Sequence, residues 1–190
     1  MITDIFKVPL YKTHLTNIDN KILAKQCIDF SRKNKGRVLS NVGGYQSNNI
    51  ENVKFVSSLV SSIYTACTNF NKDFDLGGSP TLNEIWININ GYKDNNNTHN
   101  HGANSMSGVY YVQTPPKSGP IMFWHPAYDL VTITYNNKMN NFNAYNSPRW
   151  FLPAKAGSLY LFPGYLNHSV EPNMNKTTKR ISISFNVLFK

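Results

Sequence analysis

The sequence predicts a mainly β domain of the α+β class, with two helices leading into a run of short strands. Three observations carry that reading. The 190-residue chain is 13% aromatic, with 11 Tyr and 11 Phe, and aromatic residues suit strands better than a helical bundle. Apolar residues at helical spacing are confined to the region before Gly77-Gly78-Ser79-Pro80. Beyond it, short apolar stretches alternate with Pro, Gly and Asn clusters, the pattern of successive strands. No internal repeat or linker is visible, so one domain is expected over 1–190, with a helical part at about 1–78 and a β core at about 80–190. Helices followed by strands suggest helices packed on the outside of a β-sandwich or barrel.

The elements follow in order. Residues 5–11, IFKVPLY, read as a short edge strand, because Pro9 lacks the N–H that an inner ladder needs. From Asp19 to about Lys33, Ile22, Leu23, Cys27 and Phe30 mark one side of a helix. The Gly-rich loop LSNVGGYQSNNI, carrying Tyr45 and Gln46, leads to a clearer helix. There Val53, Val56, Val60, Ile63, Cys67 and Phe70 recur at alternating steps of three and four, the period of a buried helical face. TLNEIWININ then alternates strictly, with Ile85, Ile87 and Ile89 on one face and Trp86, Asn88 and Asn90 on the other. Further strands are expected at 106–113, 120–124, 130–135, 158–162, 167–170 and 179–189. In the last, Ile181, Ile183 and Phe185 share one face, and Arg180, Ser182, Ser184 and Asn186 the other. A polar face turned into a small barrel marks a ligand cavity.

Composition narrows the function. The formal net charge of +9 invites a nucleic-acid partner, but the Lys and Arg residues are scattered and form no dense basic stretch. A small anionic ligand explains the balance equally well, and nucleic acid is not expected as the partner. Cys27 and Cys67 both fall on apolar helix faces and read as reduced core thiols rather than a disulfide. The start, MITDIFKVPLYKTHL, lacks the basic and apolar regions of a signal peptide. No run approaches the ~20 apolar residues that span a bilayer. A soluble, cytoplasmic protein without a membrane partner is expected.

Five histidines are present, and two of them stand two apart in THNHGANSMSGVYYV. In a strand, such residues project from the same face with Cα atoms ~6.5–7 Å apart. His99 and His101 can therefore converge on one ion, and a third ligand must come from elsewhere. His14 reads as a surface residue. His125 closes a strand in MFWHPAYD and reads as structural or as a support to the site. His168 follows a strand and a Pro-Gly turn in GSLYLFPGYLNHSV.

Taken together, HNHGANSMSGVYYV, GSLYLFPGYLNHSVEPN and KRISISFN resemble the 2-oxoglutarate/Fe(II) oxygenase family of bacteria and bacteriophages. That family belongs to the cupin-like, double-stranded β-helix (jelly-roll) superfamily. The likeness covers roughly residues 80–190, and the GGYQS loop resembles the family's corresponding N-terminal segment. The resemblance implies Fe(II) held by His99, His101 and His168. It also implies that Arg180, a dozen positions past His168 (180 − 168 = 12), grips the far carboxylate of the cosubstrate 2-oxoglutarate, with Ser182 adding a hydroxyl from the same face. A guanidinium fork suits a carboxylate bidentately. Tyr111 and Asn88 match further cosubstrate-facing positions of related enzymes; for both, ordinary packing or a cross-strand hydrogen bond is the alternative.

One departure stands out. The wider superfamily uses two histidines and a carboxylate, and His101 stands where the acid belongs. Three neutral histidines still leave positions open on Fe(II) for the keto acid and O₂. Asp94 and Asp129 are alternative sources of a carboxylate. The implied activity is oxidative decarboxylation of 2-oxoglutarate to succinate and CO₂, coupled to oxidation of an unknown substrate. No side chain beyond the ligands is expected to act as acid, base or nucleophile. Two other readings remain: a three-His cupin dioxygenase that uses no keto acid, and a non-catalytic β-sandwich binding module. The GGYQS loop, Tyr45 within it and the Asn-rich segment 136–146 are candidates to overhang the cavity mouth and select the substrate. A homodimer is possible, as cupin-like sheets often pair.

Overall fold

The computed structural model describes residues 3–135 and 138–190. In chain order the elements are β1 (Tyr11–His14), α1 (Asn20–Lys33), β2 (Asn41–Val42), β3 (Tyr45–Gln46), a 3₁₀ turn (Lys54–Val56), α2 (Ser57–Phe74), β4 (Pro80–Asn90), β5 (Asn95–His99), β6 (Met106–Gln113), β7 (Ile121–Trp124), α3 (Tyr128–Tyr135), β8 (Arg149–Leu152), β9 (Ser158–Pro163), β10 (His168–Val170) and β11 (Arg180–Phe189). The strands form two antiparallel sheets. The larger has the order β1-β9-β6-β11-β4-β3 and the smaller β2-β5-β10-β7-β8.

Helix α1 begins where the Asp19 carboxylate accepts the Ile22 N–H at 3.0 Å, a side-chain cap on an otherwise unpaired donor. It buries Leu23, Ala24 and Cys27. The apolar stripe is centred on Leu23 and Cys27, so Ile22, expected within it, lies at the rim and is exposed. Helix α2 buries Leu59, Ile63, Ala66, Cys67 and Phe70, the face that its spacing predicts. Both helices pack on the outer face of the larger sheet. Ile85, Ile87 and Ile89 of β4 meet them there, together with Ile181, Ile183 and Phe185 of β11.

The opposite face of the same strands looks at the smaller sheet. Between the sheets lies a second apolar cluster that includes Val109, Ile121, Phe123, Leu152 and Phe162. Beside that cluster the facing residues turn polar: Asn88 and Asn90 on β4, Ser182 and Ser184 on β11. The strict alternation of β4 and β11 thus separates a dry core under the helices from a polar-walled space between the sheets. The two sheets are tied at one end by the short β2–β3 connection. Gly43 and Gly44 turn there at φ of +70° and +67°. A Cβ at Gly43 would strike the Asp94 carboxylate, so glycine serves both the backbone and the space.

Several expectations change. The first strand lies after Pro9, not across it, and pairs with β9 through Tyr11↔Leu161 and His14↔Ser158. Residues 130–135 are helical, within α3, rather than a strand. The strand beside β7 is instead β8, paired through Ile121↔Leu152 and Trp124↔Arg149. The segment before residue 78 holds both long helices but also contributes β1, β2 and β3. Residues 136 and 137 of the Asn-rich segment lie outside the described residues.

Candidate metal and cosubstrate site

His99 ends β5, His101 lies two residues beyond it and so off the strand that the spacing of the pair suggests, and His168 begins β10. Strands β5 and β10 pair so that His99 and His168 are register partners. The three rings form a compact triangle, with centroids 5.1 Å apart for His99–His101, 4.4 Å for His99–His168 and 5.1 Å for His101–His168. One ring nitrogen from each lies within 4.8 Å of those of the others, the spacing of a three-ligand metal site. Among the described residues, no acid, cysteine or further histidine joins that group.

Local hydrogen bonds fix which nitrogens face inward. His99 Nδ1 lies 2.7 Å from the Asn97 carbonyl, and His168 Nδ1 lies 2.9 Å from the Leu166 carbonyl. A carbonyl only accepts, so both Nδ1 atoms carry the proton and both Nε2 lone pairs are free for a metal. Burial lowers the pKa of all three imidazoles, His101 to about 4, and the neighbouring histidines lower those of His101 and His168 further. Neutral imidazole is the ligand form.

The remaining acids and histidines are elsewhere. Asp94 accepts the Gly91 N–H at 2.7 Å and packs against Gly43 and Gly44. Asp129 is exposed in the first turn of α3. His125 Nδ1 accepts the Ala127 N–H at 3.0 Å and caps a turn, whereas His14 is exposed on β1.

Among the described residues, Arg180 is the largest fully buried side chain. It opens β11, opposite Asn90 of β4. Its Nη1 donates to the carbonyls of Ser118, Gly119 and Glu171, while Nη2 is buried without a partner. Tyr111 of β6 is buried too, and its hydroxyl also has no partner. Burial drives the phenol pKa upward, with the Arg180 charge acting the other way, so Tyr111 remains an O–H donor. Two unpaired buried donors, one of them cationic, call for an acceptor-only anion. Tyr111 and Ser182 are register partners across β6 and β11, and Ser182, Asn88 and Tyr111 line the same cavity as the three histidines. Asn88 spends its Nδ2 on Ser184 Oγ at 3.0 Å, leaving its Oδ1 buried and unpaired. The adjacent tyrosine, Tyr110, points the other way, into the helical core, and bonds Asn20 at 2.8 Å.

The family described as "Putative 2OG-Fe(II) oxygenase" matches residues 84–186, more than half of the chain. The chain belongs to that family. The matched region contains both histidine motifs and Arg180. The oxygenase is an oxidoreductase that depends on Fe(II) and 2-oxoglutarate, and it couples decarboxylation of the keto acid to oxidation of a second substrate. No curated protein matches it. Among solved structures it is similar to a Pseudomonas putida prolyl-4-hydroxylase, at 13% identity and TM-score 0.65, covering 96% of this chain and 94% of that one. It is similar also to the non-heme alpha ketoglutarate dependent carbocyclase SnoK from nogalamycin biosynthesis, at 11% identity and TM-score 0.67, over 96% and 80% of the two chains. A viral collagen prolyl hydroxylase from Paramecium Bursaria Chlorella virus-1 gives 12% identity, TM-score 0.61 and 94% coverage of both chains. At these identities the likeness is one of fold, the double-stranded β-helix. No described helix of the oxygenase is long and apolar enough to cross a membrane.

Two readings of the mouth are corrected by the structure. Tyr45 packs against the helical core and not over the cavity, whereas Gln46 of the same GGYQS loop lines a concavity that reaches His99 and His101. The described part of the Asn-rich segment borders a different concavity, with Ala144 and Tyr145 beside Trp124 and Trp150. The role of Ser118, Gly119 and Glu171 was not legible in the sequence, because carbonyls that clamp a guanidinium carry no side-chain signature.

Proposed function

We propose that His99, His101 and His168 hold the Fe(II) of this oxygenase and that Arg180, Tyr111, Ser182 and Asn88 hold 2-oxoglutarate, within one domain spanning 1–190. The observation that carries the reading is a pair of buried, unpaired donors: the Tyr111 hydroxyl, in a cavity wall shared with the imidazole triangle, and Arg180 Nη2, whose charge is felt at that phenol. A carboxylate satisfies both donors at once. A three-His dioxygenase without a keto acid leaves both orphaned, as does a binding module.

When bound, iron with O₂ and 2-oxoglutarate supplies the oxidising power. One oxygen atom enters the substrate C–H bond as hydroxyl, the other enters succinate, and CO₂ leaves. The protein's part is orientation and exclusion of water. The three carbonyls on Arg180 Nη1 fix the guanidinium and leave Nη2 free for the cosubstrate. Ser182, two residues on in β11, projects from the same face. The Asn88 amide contributes in its reversed orientation, in which the Ser184 hydroxyl donates to Oδ1 and Nδ2 turns to the cosubstrate. The two buried cysteines support a reducing, cytoplasmic location.

The test is spectroscopic. Fe(II) and 2-oxoglutarate, added without oxygen, are expected to give the weak visible charge-transfer band of a chelated keto acid. Iron binding without the band overturns the cosubstrate assignment, and no iron binding overturns the ligand assignment.

A further inference from the structure

A second concavity opens on the same histidine pair from outside the sheets. Its walls are Arg37 and Leu39 on the segment before β2, Glu84 and Trp86 on β4, and Gln46 on β3, with His99 and His101 at its inner end. This groove and the cavity between the sheets share Ser40, Trp86, His99 and His101. Tyr111 and Ser182 border the inner cavity and not the groove. A molecule lying in the groove therefore reaches the imidazole triangle without displacing what sits against those two residues.

Three features define what fits there. Gln46 is 3% exposed and its Oε1 is buried without a partner, so the groove wall holds an unsatisfied acceptor. Leu39 is 66% exposed and offers an apolar lip. Arg37 is the only Lys or Arg among the described lining residues. Its charge is answered by Glu84, whose Oε1 lies 2.5 Å from Nη2, and the guanidinium rests 5.9 Å from the Trp86 ring centroid, while its buried Nε has no hydrogen-bond partner. A nucleic-acid strand needs unpaired cations along its phosphates, and this groove has none. An acceptor amide, an apolar lip and a neutralised ion pair suit a chain that carries both backbone N–H groups and apolar side chains.

We infer that this groove is the site of the oxidised substrate and that its ligand is an extended polypeptide segment, with a backbone N–H donated to Gln46 Oε1, an apolar side chain on Leu39, and the residue to be oxidised beside Trp86 facing His99 and His101. This rests on the assignment of those histidines as iron ligands. Arg37 and Glu84 are specificity-determining residues on this account, reading polar groups that flank the oxidised position.

The experiment uses the whole chain loaded with Fe(II) and 2-oxoglutarate without oxygen. It is mixed in turn with a random-sequence peptide library, single-stranded DNA and RNA oligonucleotides, and free amino acids, and retained species are identified by mass. Air is then admitted and retained peptides are read for the gain of one oxygen atom. Peptides sharing a sequence pattern are expected to be retained and oxidised. Gln46→Ala and Leu39→Asp are each expected to weaken retention about tenfold, the loss of one buried hydrogen bond or apolar contact. Leu39 is surface-exposed, so its variant stays folded even if Gln46→Ala does not. Retention of oligonucleotides or amino acids in place of peptides, no retained peptide, or retention indifferent to Leu39→Asp overturns the inference. The charge-transfer band reports the cosubstrate assignment separately, so each reading fails by its own signal.

Discussion

His99 and His168 face each other as register partners across β5 and β10, and each donates Nδ1–H to the carbonyl two residues before it, Asn97 and Leu166 respectively. The two rings are thus oriented by the same local device on adjacent antiparallel strands, while His101, two residues past the end of β5, closes the triangle. Removing any corner leaves two neutral ligands. His99→Ala, His101→Ala and His168→Ala are each expected to weaken Fe(II) binding at least about tenfold, roughly 1.4 kcal/mol or more. Competition against a coloured chelator measures this. Wild-type affinity in the His101→Ala protein would show that the third ligand lies elsewhere.

Tyr111→Phe separates binding from folding. The hydroxyl is buried with no partner, so deleting it from the cofactor-free protein removes a desolvation cost and no bond. Stability is expected to be unchanged or slightly raised, since an unsatisfied buried polar group costs about 1–3 kcal/mol. The affinity for 2-oxoglutarate is expected to fall about fivefold to tenfold, the value of one hydrogen bond to a carboxylate. Urea unfolding and titration of the visible band read the two effects. A destabilised variant with normal 2-oxoglutarate binding would return Tyr111 to ordinary packing.

Arg180→Lys is expected to act on both properties. The ammonium keeps the charge but cannot serve three carbonyls and a carboxylate from one planar fork. The cofactor-free protein should lose about 2–3 kcal/mol as buried acceptors go unpaired. The KM for 2-oxoglutarate should rise at least about tenfold while Fe(II) affinity holds. Parallel loss of iron binding would mean that Arg180 supports the fold of the metal site instead of the cosubstrate.

Much of this was written in the residue pattern. The alternation of β4 assigns Ile85, Ile87 and Ile89 to the helical core and Trp86, Asn88 and Asn90 to the polar side, and the structure keeps that division. The first and second tyrosines of VYYV divide in the same way, because period two leaves no choice once one face is buried. Two things were not legible. LVTITY, residues 130–135, is rich in β-branched residues yet helical; a short apolar run does not declare its period, and the place beside β7 is taken by β8, whose Arg149-Trp150-Phe151 carries no alternation and is exposed throughout. The groove was legible only at its GGYQS wall, for another reason. Arg37, Gln46 and Glu84 are far apart in sequence and meet only because residues 37–46 run along the edges of both sheets, with the Arg37 N–H on the Gln46 carbonyl at 2.8 Å and the Asn97 N–H on the Ser40 carbonyl at 2.8 Å.

Cys27 and Cys67 give the protein an alkaline signature. Both are fully buried against the larger sheet, and burial pushes each thiol up to about 12 from an ordinary 9.0. The unfolded chain releases these protons from about pH 9 while the folded chain retains them, so the folded state binds more protons across that window. Stability contributed by the thiols is therefore complete below pH 9 and falls as pH rises toward 12, by on the order of 1 kcal/mol per thiol per pH unit. Other buried groups titrate there too, so the comparison is with Cys27→Ala/Cys67→Ala, whose unfolding free energy should decline less steeply between pH 8 and 10 in urea titrations, two pH values set roughly one unit either side of the ordinary thiol range. Iodoacetamide should leave both thiols of the native protein unmodified at neutral pH and alkylate both in denaturant, since the thiolate is the reactive form and access is closed. Equal alkaline slopes in the two proteins, or rapid alkylation of the native chain, would show that one of these helix faces opens.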